Sequence, residues 1–134
     1  PDAATLFKNR RNFGREDLAI FANITPEFAS PIGQRTPAQM AKSTVVSSLA
    51  DAILVSGPMA GAEPDVTTVE SVRAAVPKEI KVFLNTGAKS ETIAKYLKYA
   101  DGCIVGSDLK RDGYTWNEVE LDRAKRFIDA ARGG

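Results

Sequence analysis

The sequence has no histidine and a single cysteine, Cys103. Without histidine, the commonest acid/base group at neutral pH is missing. Cys/His metal sites and hydrolase triads built on histidine are therefore excluded within this chain. No internal disulfide can form, which fits a reducing cytosol, so the expected location is cytoplasmic. Charge of one sign is not in excess either: the formal net charge is +1. That gives no electrostatic case for nucleic acid or an anionic membrane surface as a partner. No apolar run approaches the roughly 20 residues that span a bilayer, so membrane insertion is not expected. No secretory signal is visible. The first residue is Pro1 rather than methionine, so a processed chain or part of something longer is expected.

What is present is ordinary for a globular domain: 134 residues, 43% hydrophobic and 26% charged. That length suits one domain, spanning residues 1–134, with a substantial core. Apolar runs alternate with helical patterns. Asp17–Ile24 reads as a strand. Thr36-Pro37 is a cap followed by proline at the first helical position, and Met40, Ala41, Val45 and Leu49 recur at helical spacing. Asp51–Gly57 is a second strand. Thr67 and Glu70 form a candidate capping box for a helix facing inward through Val69, Val72 and Val76, ended by Pro77. Lys81–Gly87 is the third strand, followed by a helix capped by Ser90 and carrying Ile93, Leu97 and Ala100. Gly102–Val105 is the fourth. Asn117 and Glu120 then open a last helix with Leu121, Ala124, Ile128 and Ala131 inward, its start packed by Trp116. Ala3–Phe13 reads as the tail of another helix.

Four strand–helix units with continuous apolar strands indicate a parallel sheet covered by helices on at least one face. Two α/β architectures fit: an open, flavodoxin-like sheet, or half of an eight-fold β/α barrel. In both, ligands bind at the carboxyl ends of the strands. These tips are Asn23–Thr25, Ser56-Gly57-Pro58, Asn85-Thr86-Gly87-Ala88 and Gly106-Ser107-Asp108. Glycine lets successive N–H groups converge on an anion, and a following helix adds partial positive charge. Thr86, Gly87, Ala88, Gly106 and Ser107 are the expected phosphate-binding residues, through backbone N–H groups and the Thr86 and Ser107 hydroxyls. Asn23, Ser56, Gly57, Asn85, Asp108 and Lys110 are further ligand-binding candidates. Glu27 and Arg35 lie in a first loop of unusual length, the kind that often covers a ligand. Cys103 reads as a small buried hydrophobe. No cofactor and no metal is expected, and no residue stands out as catalytic.

The run ADAILVSGPMAG, followed by ESVRAAVPKEIKVFLNTGAKSETIAKYLKYADGCIVGSDLKRDG, resembles the carboxyl-terminal half of the BtpA/SgcQ family. The ADG-x-IVG-[ST]-x-LK-x-DG signature is the most specific part. The likeness runs from LFKNRRNFGREDLAIFANI onward, and the SgcQ-like branch is the nearer. It implies a TIM-type barrel of about twice this length, of which the chain supplies strands five to eight, with Gly106-Ser107 at the phosphate end of strand eight. Glu27 and Phe28 depart from a Lys-His pair of the photosystem-type branch, and the third tip reads NTGA rather than GSGV.

Two functions compete. One, supported by the strand-tip glycine and hydroxyl cluster, is an enzyme, or half of one, acting on a phosphorylated sugar or similar metabolite, with the amino-terminal half or a second copy as partner. The other, which the resemblance implies, is a non-catalytic biogenesis or stability factor for a membrane complex of the photosystem I type.

Overall fold

Ile53, Val55, Val82 and Leu84 alternate along two strands and are fully buried. They set the inside of the molecule. A computed structural model describes residues 2–30 and 32–133; Pro1, Pro31 and Gly134 lie outside the described residues. The elements are α1 (Ala3–Asn12), β1 (Phe21–Asn23), α2 (Pro37–Ser48), β2 (Ala52–Val55), α3 (Val66–Ala75), β3 (Lys81–Leu84), α4 (Ile93–Tyr96), β4 (Gly102–Cys103) and α5 (Leu121–Arg132). Two single 3₁₀ turns, Ser107–Leu109 and Arg111–Gly113, precede α5.

All strands are parallel, in the order β1-β2-β3-β4. Ala22, Ile53 and Val82 share one register position, and Asn23, Leu54, Phe83 and Gly102 the next. The face carrying Ile53, Val55, Val82 and Leu84 packs on Val69 and Val72 of α3, Ile93 and Tyr96 of α4, and Phe127 of α5. The opposite face carries Phe21, Leu54, Phe83 and Ile104. Phe21 and Ile104 are each 48% exposed. Phe21 stacks on Phe83 with ring centroids 5.3 Å apart, and the Phe83 ring lies where a Cβ on Gly102 would stand. Leu54 and Phe83 are half-buried there, so the face is partly open to solvent.

A monotonic strand order with neighbouring helices running α2, α3, α4, α5 is a barrel wall. A doubly wound sheet would reverse its strand order at a switch point. The open-sheet alternative is thereby set aside, and the fold is an α/β half barrel.

The strands are shorter than their apolar runs suggest: β1 begins only at Phe21, and Ser56 and Thr86 bond through side chains beyond the ends of β2 and β3. Thr36 caps α2 in a capping box with Gln39, and Pro37 starts the helix. The other caps differ from expectation. α3 begins at Val66 with Asp65 as an N-cap that makes no side-chain bond, so Thr67 and Glu70 form no box. Ser90 does not cap α4: its hydroxyl is buried and has no partner among the described residues. Asn117 donates to the Arg111 carbonyl instead of capping α5, which starts at Leu121. Leu49, in the left-handed region at φ 46, points outward as the C-cap of α2. On α5 the inward residue is Phe127, flanked by Ala124, Ala130 and Ala131, while Leu121 and Ile128 are exposed. Trp116 is 84% exposed and packs nothing at the start of α5.

Two acidic residues repeat one device at the amino ends of the strands. Asp51, just before β2, accepts from the Ile20 N–H at 2.7 Å and from Arg10 of α1 at 3.3 Å. Asp101, just before β4, accepts from the Val82 N–H at 2.9 Å and from Arg73 of α3 at 3.0 Å. Arg73 also donates to the Val76, Pro77 and Ile80 carbonyls, closing the turn between α3 and β3.

Candidate functional site

The site grows from the tips of β1, β2 and β3, at the carboxyl end of the sheet. Ser56 is buried, and its hydroxyl is the hub. It accepts from the Asn85 amide at 2.8 Å and from the Asn23 amide at 3.0 Å, and donates to the Asn23 carbonyl oxygen at 3.3 Å. Asn23 also donates to Glu27 at 3.5 Å and accepts from the Thr25 N–H. Three expected candidates, Asn23, Ser56 and Asn85, thus form one hydrogen-bonded row across three strands. Glu27 touches its end.

Two threonines complete the ladder where backbone pairing stops. Thr25 accepts from the Ser56 N–H and donates to the Ser56 carbonyl. Thr86 accepts from the Gly57 N–H at 2.7 Å and donates to the Ala62 carbonyl at 2.9 Å. The Thr86 hydroxyl is therefore spent on the fold. Its single proton goes to the Ala62 carbonyl here, while Thr86 itself lines the pocket described next.

Beside the row, between the tips of β3 and β4, lies a pocket of about 270 Å³. Asn85, Thr86, Gly87, Ala88, Gly106 and Ser107 line it, with Gly61 and Lys89 opposite or flanking. Among the described residues, the N–H groups of Gly87, Ala88, Gly106 and Ser107 donate to no protein acceptor. No Asp or Glu lines the pocket; its one formal charge is Lys89. The expected helix dipoles are absent, because α4 has four residues and the turn after β4 has three. Too few aligned peptides remain to add up to a macrodipole. Lys89 is the charged residue of the described lining.

The remaining candidates fall elsewhere. Asp108 accepts from the Ser90 N–H at 3.0 Å, and its carbonyl accepts from Arg123 of α5. It ties the β3–α4 loop to the β4 tip and does not line the pocket. Lys110 pairs with Val119 in an isolated antiparallel bridge, away from the pocket lining. Gly57 and Arg35 line a separate, larger groove of about 800 Å³ between the first two tip loops, with Glu63 and Asp65. Cys103 is half-buried against the core, and burial pushes its thiol up.

Three residues escaped the sequence reading. Lys89 follows NTGA directly, so a basic residue beside a glycine tip was the available signal. Gly61, at φ +79, belongs to the Gly-containing β2–α3 loop and forms a pocket wall. Glu63 had no local signal, because its partners lie on α4. It accepts from Thr92 at 2.5 Å, Tyr96 at 3.1 Å and Lys95 at 3.4 Å. Burial acts to raise the Glu63 carboxyl, but the Thr92 and Tyr96 hydrogen bonds and the Lys95 charge outweigh it and hold the carboxyl below its ordinary value. Burial, then the Glu63 carboxylate, pushes the Tyr96 phenol far up.

A depressed carboxyl contributes stability above its unfolded-state pKa and loses it as pH falls through the folded-state value. Glu63→Gln should therefore flatten part of the acid-side loss of stability. Unfolding free energies measured across the acid range check this, and parallel slopes in the two proteins would refute the clamp.

The chain matches the BtpA family model over residues 1–133. It belongs to the BtpA family. It is 34% identical to the putative sgc region protein SgcQ of Escherichia coli over 91% of this chain and 45% of that protein. It is 32% identical to the photosystem I biogenesis protein BtpA of Synechocystis over 99% of this chain and 46% of that protein. The chain thus spans about half the length of these curated relatives.

Among solved structures, it is similar to N-(5'-phosphoribosyl)anthranilate isomerase from Pyrococcus furiosus, with a TM-score of 0.65 and 17% identity. That match covers 98% of this chain and 58% of the isomerase. It is also similar to the native KDPGal structure, with a TM-score of 0.58 and 20% identity, over 92% of this chain and 52% of the other. At these identities both likenesses carry the fold alone. Among the described residues of this BtpA-family chain, no helix is long and apolar enough to cross a membrane.

Proposed function

We propose that this chain binds the phosphate of a small metabolite, of the sugar phosphate type, between the tips of β3 and β4, as part of a barrel enzyme. The observation that carries the reading is the pocket itself. Gly87, Ala88, Gly106 and Ser107, whose N–H groups have no protein acceptor among the described residues, line it together with one lysine, and no described carboxylate does. Such a nest of amides suits a phosphate, which accepts several hydrogen bonds at once. The phosphoribosyl substrate in the name of the solved isomerase fits the same reading. The partly open face with Phe21, Leu54, Phe83 and Ile104 needs a second four-stranded half. An amino-terminal half of the same polypeptide or a second copy would supply it, and the missing acid or base with it.

Thermal unfolding of the intact protein with inorganic phosphate tests the reading. At 100 times the dissociation constant, a ligand adds about 2.7 kcal/mol. Gly106→Asp is the matching variant. A Cβ at Gly106 meets open space, so the variant sets a carboxylate at the pocket lining without a steric clash. The expected result is a phosphate-dependent rise in Tm that Gly106→Asp abolishes. No rise in the parent protein would refute the phosphate site.

The name of the cyanobacterial relative supports a second reading, a non-catalytic role in the biogenesis of a membrane complex. A Gly106→Asp variant that still supports such a complex in cells would favour that reading over the enzyme.

A further inference from the structure

Asn85 stands between the pocket and the polar row. It lines the pocket, and it donates one amide proton to Ser56. A primary carboxamide has two donors and an acceptor oxygen. Among the described residues, the second N–H and the carbonyl oxygen of Asn85 have no protein partner. Ser56 differs: its hydroxyl is buried and committed to Asn23 and Asn85, so it cannot also serve a ligand. The hub therefore fixes the Asn85 amide. The free donor and acceptor are left on a half-buried side chain beside the pocket, on the partly open face of the sheet.

Resting on the phosphate reading above, we infer that Asn85 is a specificity residue that recognises a hydroxyl group near the phosphate ester, and that Ser56 is its positioning residue. A neighbouring hydroxyl offers both a donor and an acceptor, which matches the pair left on the carboxamide. A carboxylate there would lack the donor, and an alkyl group would leave both amide positions unpaired. The ligand class is a hydroxylated phosphate monoester rather than a simple alkyl phosphate. The row is uncharged except for Glu27 at its far end, so recognition here is by hydrogen bonding, while charge is read in the phosphate pocket.

The test compares inorganic phosphate, ethyl phosphate and a pentose 5-phosphate by calorimetric titration of the intact protein. The pentose phosphate should bind on the order of 10-fold or more tighter than ethyl phosphate, the size expected when a site built for a hydroxyl meets an analogue without one. Asn85→Ala should erase that preference and leave inorganic phosphate affinity within about twofold, since one neutral contact outside the amide nest is lost. Ser56→Ala should weaken the preference partly, by loosening an amide that is still present. Equal binding of the two esters, with inorganic phosphate bound, overturns the Asn85 inference and leaves the phosphate site standing. An Asn85→Ala variant that keeps the preference also overturns it. Binding of none of the three overturns both readings.

Discussion

Gly87→Ala should cost about 3 kcal/mol of stability, from positive-φ strain and forced displacement of packed backbone together. Gly87 sits at φ +72, where an L side chain is strained whatever the space around it. There is also no space. A Cβ there would lie 2.5 Å from the Ala62 carbonyl carbon and the Glu63 nitrogen. Those are backbone atoms, so no side-chain rotation relieves the clash. Nor can the β2–α3 loop retreat easily. Thr86 bonds the Ala62 carbonyl, and Glu63 is clamped by Thr92, Tyr96 and Lys95 of the α4 region. The loop also packs on Gly57, whose Cβ position is occupied by the Ala62 carbonyl.

Gly87 and the β2–α3 loop, through Ala60 and Gly61, line the pocket proposed for phosphate. A Tm fall on the order of 10 °C in calorimetry is therefore expected, with loss of the phosphate response. Gly106→Ala is the control, because that position is open. Equal losses in the two variants would mean that the close approach at Gly87 does not matter.

The same loop shows what could be read from the residues. The runs Ile53–Val55 and Val82–Leu84 announce buried parallel strands by composition alone, and the fold class follows from their alternation with helical periods. The tips were legible as glycine beside hydroxyl. Their grouping was legible too, because both architectures expected from the sequence, the flavodoxin-like sheet and the half barrel, put NTGA next to GSDL. The roles inside the group were not. Whether Thr86 faces a ligand or the Ala62 carbonyl depends on a loop from another strand, 24 residues earlier.

Glu63 illustrates the same limit, since its partners lie on α4. Capping patterns misled for a different reason. Thr67-x-x-Glu70 and Asn117-x-x-Glu120 have the spacing of a box, but the spacing cannot say where the first helical turn begins. Leu121 and Ile128 repeat at helical period yet stay exposed, because α5 docks through Phe127 and the small residues beside it.

Asp101→Ala should be the second large loss, about 2 to 3 kcal/mol, and it should exceed that of Asp51→Ala at about 1 kcal/mol. The two carboxylates do the same job at equivalent places, so the comparison isolates burial. Asp101 accepts from the N–H of Val82, a residue with no exposed surface, and from Arg73, which is 20% exposed. Removing it leaves a buried N–H without an acceptor. It also leaves a guanidinium whose other contacts are carbonyls, with no counter-charge at hydrogen-bond distance.

Asp51 makes the matching bonds to Ile20 and Arg10, but its side chain is 48% exposed against 33% for Asp101. Water can replace much of what Asp51 gives. Asp101→Asn should recover about half of the loss, because the amide oxygen still accepts from Val82 while the charge is gone. Chemical denaturation of the three variants at low and high salt checks this. The part that Asp101→Asn fails to recover should shrink with salt, and the part it recovers should not. If Asp51→Ala and Asp101→Ala cost the same, burial of the strand's N–H is not what makes the carboxylate matter, and the two ends of the sheet are held by something else.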